Sequence, residues 1–132
     1  MSSIFTKIIN GEIPCYKVAE DEHHIAFLDI SPVAKGHTLV VPKAPIDYIF
    51  DMQDDHLAAL MLFAKKVAIA MKPNFACLKI GVEVIGLDVP HTHVHLIPIS
   101  QASDLDFTKQ RLSFSEEEYL QIANQIKKSF NK

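Results

Sequence analysis

Tryptophan, glycine and cysteine are all scarce in this sequence. Its 132 residues include no tryptophan, four glycines and two cysteines, Cys15 and Cys77. The cysteines form no C-x-x-C pair, so neither a disulfide framework nor a dithiol redox motif is expected. Basic residues number 13 against 16 acidic ones, for a net charge of −3. Without a basic surplus to release counterions from DNA or RNA, a nucleic-acid partner is not expected.

Long apolar stretches are also absent. The longest apolar run is Leu57–Ala64, far short of the ~20 residues that a membrane span needs. The first residues, Met1–Pro14, contain a lysine and no apolar core of the kind found in signal peptides. We therefore expect a cytoplasmic protein with no membrane partner. Apolar residues make up 48% and charged residues 22% of the chain, which predicts one globular domain over residues 1–132.

Hydrophobic periodicity and turn residues predict an α+β domain. Strands are predicted at His23–Ile30, His37–Lys43, Ala76–Val84 and Thr92–Ile99, and helices at Ile4–Asn10, Asp54–Lys72 and Ser115–Phe130. Several connections are too short for a parallel crossover, which favours a mainly antiparallel sheet. The long helix at Asp54–Lys72 is apolar around most of its circumference. One small domain rarely buries such a helix on more than one side, so we expect a subunit interface there.

The most informative segment is His91-Thr92-His93-Val94-His95. Side chains alternate along a strand, so the spacing predicts all three imidazoles on one face. Two chemistries use such an array. Imidazoles at H-x-H spacing can bind zinc, copper or iron. Alternatively, a neutral imidazole can attack phosphorus while its neighbours move protons. The spacing alone leaves both readings open.

In these residues the chain resembles the histidine triad (HIT) family, and within it the Hint-like branch of nucleotidyl hydrolases. The family pattern His-φ-His-φ-His-φ-φ, where φ is hydrophobic, is matched by His91–Ile97, with Thr92 as the weak position. Three further segments agree in family order, at Ile4–Pro14, Ala26–Lys43 and Asp54–Met71. The resemblance implies a HIT-like five-stranded antiparallel sheet with one long central helix and a C-terminal helix. It also implies a homodimer.

The same resemblance implies an activity. Members of the branch cleave nucleoside phosphoramidates or related nucleotidyl esters, mainly of purines, and need no metal or cofactor for the chemistry. His93 matches the nucleophile that attacks the α-phosphorus and forms a nucleotidyl-imidazole. His95 matches the histidine beside the leaving group, a general acid. His91 matches the orienting first member, and His37 a fourth histidine beside the triad. The alternative is a nucleotide-binding regulatory module with little turnover.

The resemblance also implies the walls of an AMP-like nucleotide pocket. Asp29 matches the family's carboxylate that binds the ribose. A carboxylate has acceptors for two vicinal hydroxyls, so this role is chemically reasonable. The apolar walls around the base are matched by residues that could equally be plain core: Ile4, Phe5, Ile8, Phe27, Leu28 and Ile30.

The loop before the triad, Gly81–Pro90, departs from the family pattern and is shorter. Gly86 is retained, and a glycine allows the backbone to approach a phosphate closely. Glu83 and Asp88 stand where the family has asparagine and serine or threonine, and both repel an anionic substrate. We expect Gly86, Glu83 and Asp88 to border the nucleotide. The two carboxylates then point away into water, hold a cationic leaving group or a metal ion, or include one that is protonated.

A structural zinc site is not expected. Many bacterial relatives build one from an N-terminal C-x-x-C and later histidines. Here Ser3–Thr6 stands in place of the cysteine pair, and Pro45 in place of one histidine. Cys15 and Cys77 do not replace it by spacing.

Overall fold

Three α-helices, three short 3₁₀-helices and five strands form the regular structure of residues 3–132, which the computed structural model describes. The α-helices and strands position the site. Their bounds are α1 Ile4–Ile9, β1 Lys17–Glu20, β2 His24–Leu28, β3 Thr38–Pro42, α2 Asp54–Met71, β4 Lys79–Glu83, β5 Val94–Ile99 and α3 Glu116–Phe130. Within residues 3–132, no helix combines the length and the apolar character that crossing a bilayer requires.

The strands form one antiparallel sheet in the order β1-β2-β3-β5-β4. This confirms the predicted α+β class and the five-stranded antiparallel sheet. After β3 the chain passes through α2 to the edge strand β4, and β5 then returns between β3 and β4. His95 on β5 is therefore central, opposite Leu39 of β3 on one side and Glu83 of β4 on the other.

The sequence patterns missed one strand, β1. It has four residues at the sheet edge, and only Val18 and Ala19 are buried. A segment this short shows no clear alternation of apolar and polar residues. Its pairing with β2 is also irregular between Lys17 and Ala19. The predicted strands at the other positions exist, but each is shorter than the apolar run that predicted it.

The two faces of the sheet carry cores of different size. The larger core lies under α2 and α3 and includes Val40, Val94 and Leu96 from the central strands. The smaller core contains Phe5 of α1 with Ile25, Phe27, Leu39 and Val41 from the strands. Because neighbouring residues of a strand point to opposite faces, Leu39 and His95 belong to the face with the smaller core. That face leaves room for a cavity.

Candidate active site

The three histidines of the motif do not all line one cavity, although the ring of Phe5 packs near both His91 and His93. β5 begins only at Val94, so His91 and His93 precede the strand and strand alternation does not govern them. His93 and His95 both line one cavity, with ring centroids 4.9 Å apart. His91 lies outside the wall of that cavity and is only 1% exposed.

His91 is held behind His93 by two hydrogen bonds. Its Nε2 donates to the carbonyl of Pro42 at 2.8 Å, and its Nδ1 lies 3.3 Å from the hydroxyl of Ser3. A carbonyl only accepts, so the neutral ring carries its proton on Nε2, and Ser3 donates to Nδ1. Burial lowers the pKa of His91, while the bond to Pro42 opposes that shift. The ring is therefore a fixed, neutral support.

His93 has one nitrogen bound to the protein and one turned to the cavity. Its Nδ1 donates to the carbonyl of His91 at 2.7 Å. Because that acceptor fixes the proton on Nδ1, the neutral ring has a free lone pair on Nε2. No hydrogen bond from residues 3–132 reaches this Nε2. The ring of Phe5 packs edge-on against it, with centroids 4.9 Å apart, and holds its orientation.

His95 presents the opposite group, an N–H. The backbone N–H of Val33 donates to Nδ1 of His37 at 3.1 Å, so the proton of the neutral His37 ring lies on Nε2. That Nε2 donates to Nδ1 of His95 at 2.9 Å. His95 must then carry its own proton on Nε2. The cavity wall thus offers a lone pair on His93 beside an N–H on His95, which suits attack at one atom and proton delivery at its neighbour.

Burial keeps the two histidines of this relay neutral. It lowers the pKa of His37 from its ordinary value of 6.5 to about 3, with the positive charge of Arg111 acting in the same direction. It also lowers the pKa of His95 to about 3, while Asp29 weakly opposes the shift. Desolvation disfavours the charged form of an imidazole, and this is the first cause at both sites.

These shifts predict that the folded state loses stability in mild acid. The unfolded chain binds protons at His37 and His95 near pH 6.5, whereas the folded chain binds them only near pH 3. The contribution of the two neutral histidines to the free energy of unfolding is complete above pH 6.5. It is lost as the pH falls from 6.5 toward about 3, by up to about 1.4 kcal/mol per pH unit for each histidine. Urea unfolding between about pH 7.5 and about pH 5, above most carboxylate titrations, measures the slope.

His37→Gln should reduce that slope, since it removes one of the three buried histidines, His37, His91 and His95, whose pKa the fold lowers. The control is His56→Gln, an exposed histidine of α2, which should leave the slope as it is. A free energy of unfolding that is constant over this pH range would contradict the buried neutral pair.

The cavity has a volume of about 530 Å³, which is within the usual size of a small-molecule site. Eleven of the residues expected at the site line it: Ile4, Phe5, Ile8, Phe27, Leu28, Asp29, Ile30, Gly86, Asp88, His93 and His95. His37, His91 and Glu83 do not. Phe107 and Arg111 also line it and were not anticipated, because the segment that carries them shows no regular pattern in the sequence.

Asp29 lies where β2 gives way to the next loop. Its Oδ1 accepts the backbone N–H of Ser31 at 2.8 Å, and its Oδ2 lies 3.5 Å from Nε2 of His37. The side chain is 16% exposed, so it borders the cavity while being held from behind. Its remaining lone pairs can accept hydrogen bonds from a ligand.

The loop before the triad brings one of its two carboxylates to the cavity. Asp88 is exposed and lines the wall, whereas Glu83 lies on β4 and has a buried Oε2 without a hydrogen-bond partner among the described residues. Gly86 has a φ of +68°, a conformation that favours glycine. The expected contacts of these residues with a nucleotide stay predictions.

Asp29, His37 and His95 offer three potential metal-ligand atoms within 4.8 Å of one another. A metal on Nε2 of His37 would need the lone pair at that atom, which moves the ring proton to Nδ1. That proton would then face the N–H of Val33, which donates to Nδ1 at 3.1 Å. Two donors cannot pair, so this cluster suits a hydrogen-bond relay better than a cation.

Comparison with known proteins finds the same fold and a matching family. The family model for the HIT domain matches residues 10–102. An uncharacterised HIT-like protein of Methanocaldococcus jannaschii is 46% identical over 99 residues, which cover 72% of this chain and 77% of the relative. An adenosine 5′-monophosphoramidase of Schizosaccharomyces pombe is 41% identical over 99 residues, 74% of each chain. The crystal structure of a HIT-like protein from Bartonella henselae superposes with a TM-score of 0.84 at 32% identity and covers 97% of this chain and 96% of that one.

Proposed function

The chain belongs to the HIT domain family, and on that premise we propose that it is a nucleotide-binding hydrolase. Its substrates are purine nucleoside phosphoramidates or related nucleotidyl esters, cleaved at the α-phosphate. The observation that carries the proposal is the pair of groups at the cavity wall, the free Nε2 lone pair of His93 beside the Nε2–H of His95. The phosphoramidase named among the relatives supports the same reaction.

In the first step, Nε2 of His93 bonds to the α-phosphorus while the bond from phosphorus to the leaving nitrogen breaks. The leaving nitrogen takes a proton from Nε2 of a protonated His95 and departs as an amine. Protonation of His95 places a hydrogen on its Nδ1, so the hydrogen bond from His37 is broken in the charged state and forms again once His95 has given up its proton. Charging His95 is unfavourable in the free protein, where its pKa is about 3. The negative α-phosphate lowers that cost, because an opposite charge nearby favours the protonated imidazole.

In the second step, both histidines return to their starting states. Neutral His95 takes a proton from water, and the water oxygen bonds to phosphorus as the bond to His93 breaks. The products are a nucleoside monophosphate and an amine, and water is the only co-reactant that this balance needs. His37 and His91 act from behind the wall by fixing the proton positions on His95 and His93.

The nucleotide lies with its base toward the apolar end of the cavity, where Phe5 and Phe27 pack edge-on with centroids 5.6 Å apart. Ile8 lines the same end. The ribose then reaches Asp29, whose unused lone pairs accept its two hydroxyls. This arrangement leaves the phosphate at His93 and the leaving group at His95.

The alternative is a nucleotide-binding regulatory module. The carboxylate of Asp88 in the cavity wall favours it, because a negative charge there repels an anionic substrate. Incubation with adenosine 5′-phosphoramidate distinguishes the two. Release of AMP well above the rate in buffer supports the hydrolase. Tight binding of AMP in calorimetry with no turnover favours the module. An absence of both turnover and binding contradicts both functions.

We also propose a homodimer. On α2, Leu62 and Ile69 are 62% and 63% exposed and lie two turns apart on one face. On the edge strand β4, Val82 is 51% exposed and points to the same side of the sheet, since its partner Leu96 lies in the larger core. A second copy that pairs along β4 would cover this surface and satisfy the free sheet edge.

Light scattering is expected to report a mass of twice the 14.8 kDa chain at micromolar concentration. Ile69→Glu should shift the protein toward the monomer, because it buries an unpaired carboxylate in an apolar interface. The matched control is Leu120→Glu on α3, a leucine 47% exposed outside the proposed interface, which should leave the mass unchanged. A wild-type mass of 14.8 kDa would refute the dimer.

A further inference from the structure

Arg111 lies in the segment that follows β5, outside residues 10–102 matched by the family model. The residue lines the cavity. Nη1 donates to the carbonyl of Ser31 at 2.7 Å and Nη2 to the carbonyl of Phe107 at 3.2 Å. The guanidinium carbon also stands over the ring of Phe107, 5.2 Å from its centroid. These contacts hold a permanent positive charge in the wall of the site.

This charge has no counter-ion among residues 3–132, where no carboxylate lies within 4.0 Å of the guanidinium. A guanidinium has five N–H donors, and the two contacts to carbonyls use fewer than half of them. A half-buried arginine that borders a cavity and has unused N–H donors is suited to bind two oxygens of an anion with two parallel hydrogen bonds.

The position of Arg111 along the cavity follows from the ring of Phe107. That ring packs on His95, with centroids 4.8 Å apart, and also against His37. Arg111 lowers the affinity of both histidines for a proton. The apolar end of the cavity is instead next to His93, through Phe5. Arg111 therefore lies at the His95 end of the cavity, on the side of Ser31 and Asp29 and away from Phe5.

Two carboxylates border the same cavity. Asp29 is held by the N–H of Ser31 and lies beside His37. Asp88 is exposed on the loop before the triad and forms no ion pair with Arg111 in the part of the chain that is described. Neither carboxylate neutralises the guanidinium, so an anion from the substrate can take that place.

We propose that Arg111 determines leaving-group specificity by binding an anionic group on the leaving amine. This rests on the proposed hydrolase, which orients the leaving group toward His95. The anion is either a carboxylate, as in an amino acid joined to phosphorus through its nitrogen, or a phosphate ester on the amine. Both match the guanidinium, since its paired N–H groups fit two oxygens of either anion.

Two pairs of adenosine 5′-phosphoramidates test the proposal. The first pair carries glycine or glycinamide, and the second carries O-phosphoethanolamine or ethanolamine. In each pair the two amines are close in size and differ in the anion. The wild-type protein should prefer one anionic member in kcat/KM, and Arg111→Met should reduce that preference by about 10- to 100-fold, the range of one charge-assisted hydrogen-bonded pair. Comparing variants cancels the intrinsic difference in leaving ability between the amines.

Arg111→Lys should keep part of the preference, since it retains the charge and loses the paired donors. Lys109→Met, an exposed lysine of the same segment outside the cavity wall, should keep all of it. If Arg111→Met loses the preference only in the glycine pair, the anion is a carboxylate. If it loses the preference only in the phosphoethanolamine pair, the anion is a phosphate.

A purely structural role for Arg111, in holding the segment on Ser31, would lower the rates with both members of a pair together. An unchanged anion preference in Arg111→Met would therefore overturn the proposal. So would a wild-type protein without any preference. Turnover of the glycinamide and ethanolamine substrates reports the proposed hydrolase separately, and the loss of all four activities would count against that function instead.

Discussion

His93→Ala is expected to lose both turnover of adenosine 5′-phosphoramidate and formation of the nucleotidylated protein. Nε2 of His93 has the free lone pair at the cavity wall, because its Nδ1 is bound to the carbonyl of His91 at 2.7 Å. Alanine removes the attacking atom, and loss of a covalent nucleophile typically costs about 10⁴-fold or more in kcat. Steady-state kinetics measure the first loss. Mass spectrometry of acid-quenched reactions measures the second.

The control for this variant is His23→Ala, a histidine before β2 whose side chain is 77% exposed. It should retain wild-type rates and the same nucleotidylated intermediate. Circular dichroism of His93→Ala checks that the fold persists. Wild-type turnover in the folded His93→Ala protein would rule out the covalent mechanism.

His95→Ala is expected to depend strongly on the leaving group. His95 presents its Nε2–H to the cavity because His37 donates to its Nδ1 at 2.9 Å. An amine must gain a proton as it leaves, so alkyl phosphoramidates should lose about 10²- to 10⁴-fold in kcat. A nitrophenyl ester of AMP needs no proton on its leaving oxygen and should lose far less. The ratio of the two kcat values is the measurement.

This ratio separates proton delivery from a general loss of the site. A collapsed cavity would lower both rates equally, and equal losses on the two substrates would exclude His95 as the acid. His37→Gln should change the ratio in the same direction but less, because glutamine can still donate to Nδ1 of His95 through its amide.

Much of the fold follows from local patterns in the sequence. The apolar and acidic residues of Asp54–Met71 predict α2 and its start, and the β-branched run in Thr38–Pro42 predicts β3. Short connections predict the antiparallel sheet. The strand β1 was missed because four edge residues leave too little pattern to detect. Its place beside β2 depends on pairing, which local sequence does not encode.

The candidate site likewise has features that local sequence predicts and features that depend on the tertiary structure. The spacing of the three histidines and the family resemblance single out His93 and His95 from the sequence. Which of the rings reach the cavity was not predictable from the spacing, because the contacts of His91 with Pro42 and Ser3 hold it behind His93. The proton positions were not predictable either. They are set by the carbonyl of Pro42, the carbonyl of His91 and the N–H of Val33.

The sequence by itself determined the family, the α+β sheet and the histidines proposed to carry the chemistry, because each is encoded in residues close together along the chain. Tertiary structure alone decided which nitrogen of each ring faces the cavity. It alone joined His37 to His95 across 58 residues and Arg111 to Ser31 across 80. The physical reason is that a hydrogen-bond donor or a charge acts over a few ångströms in space, whatever the distance along the chain.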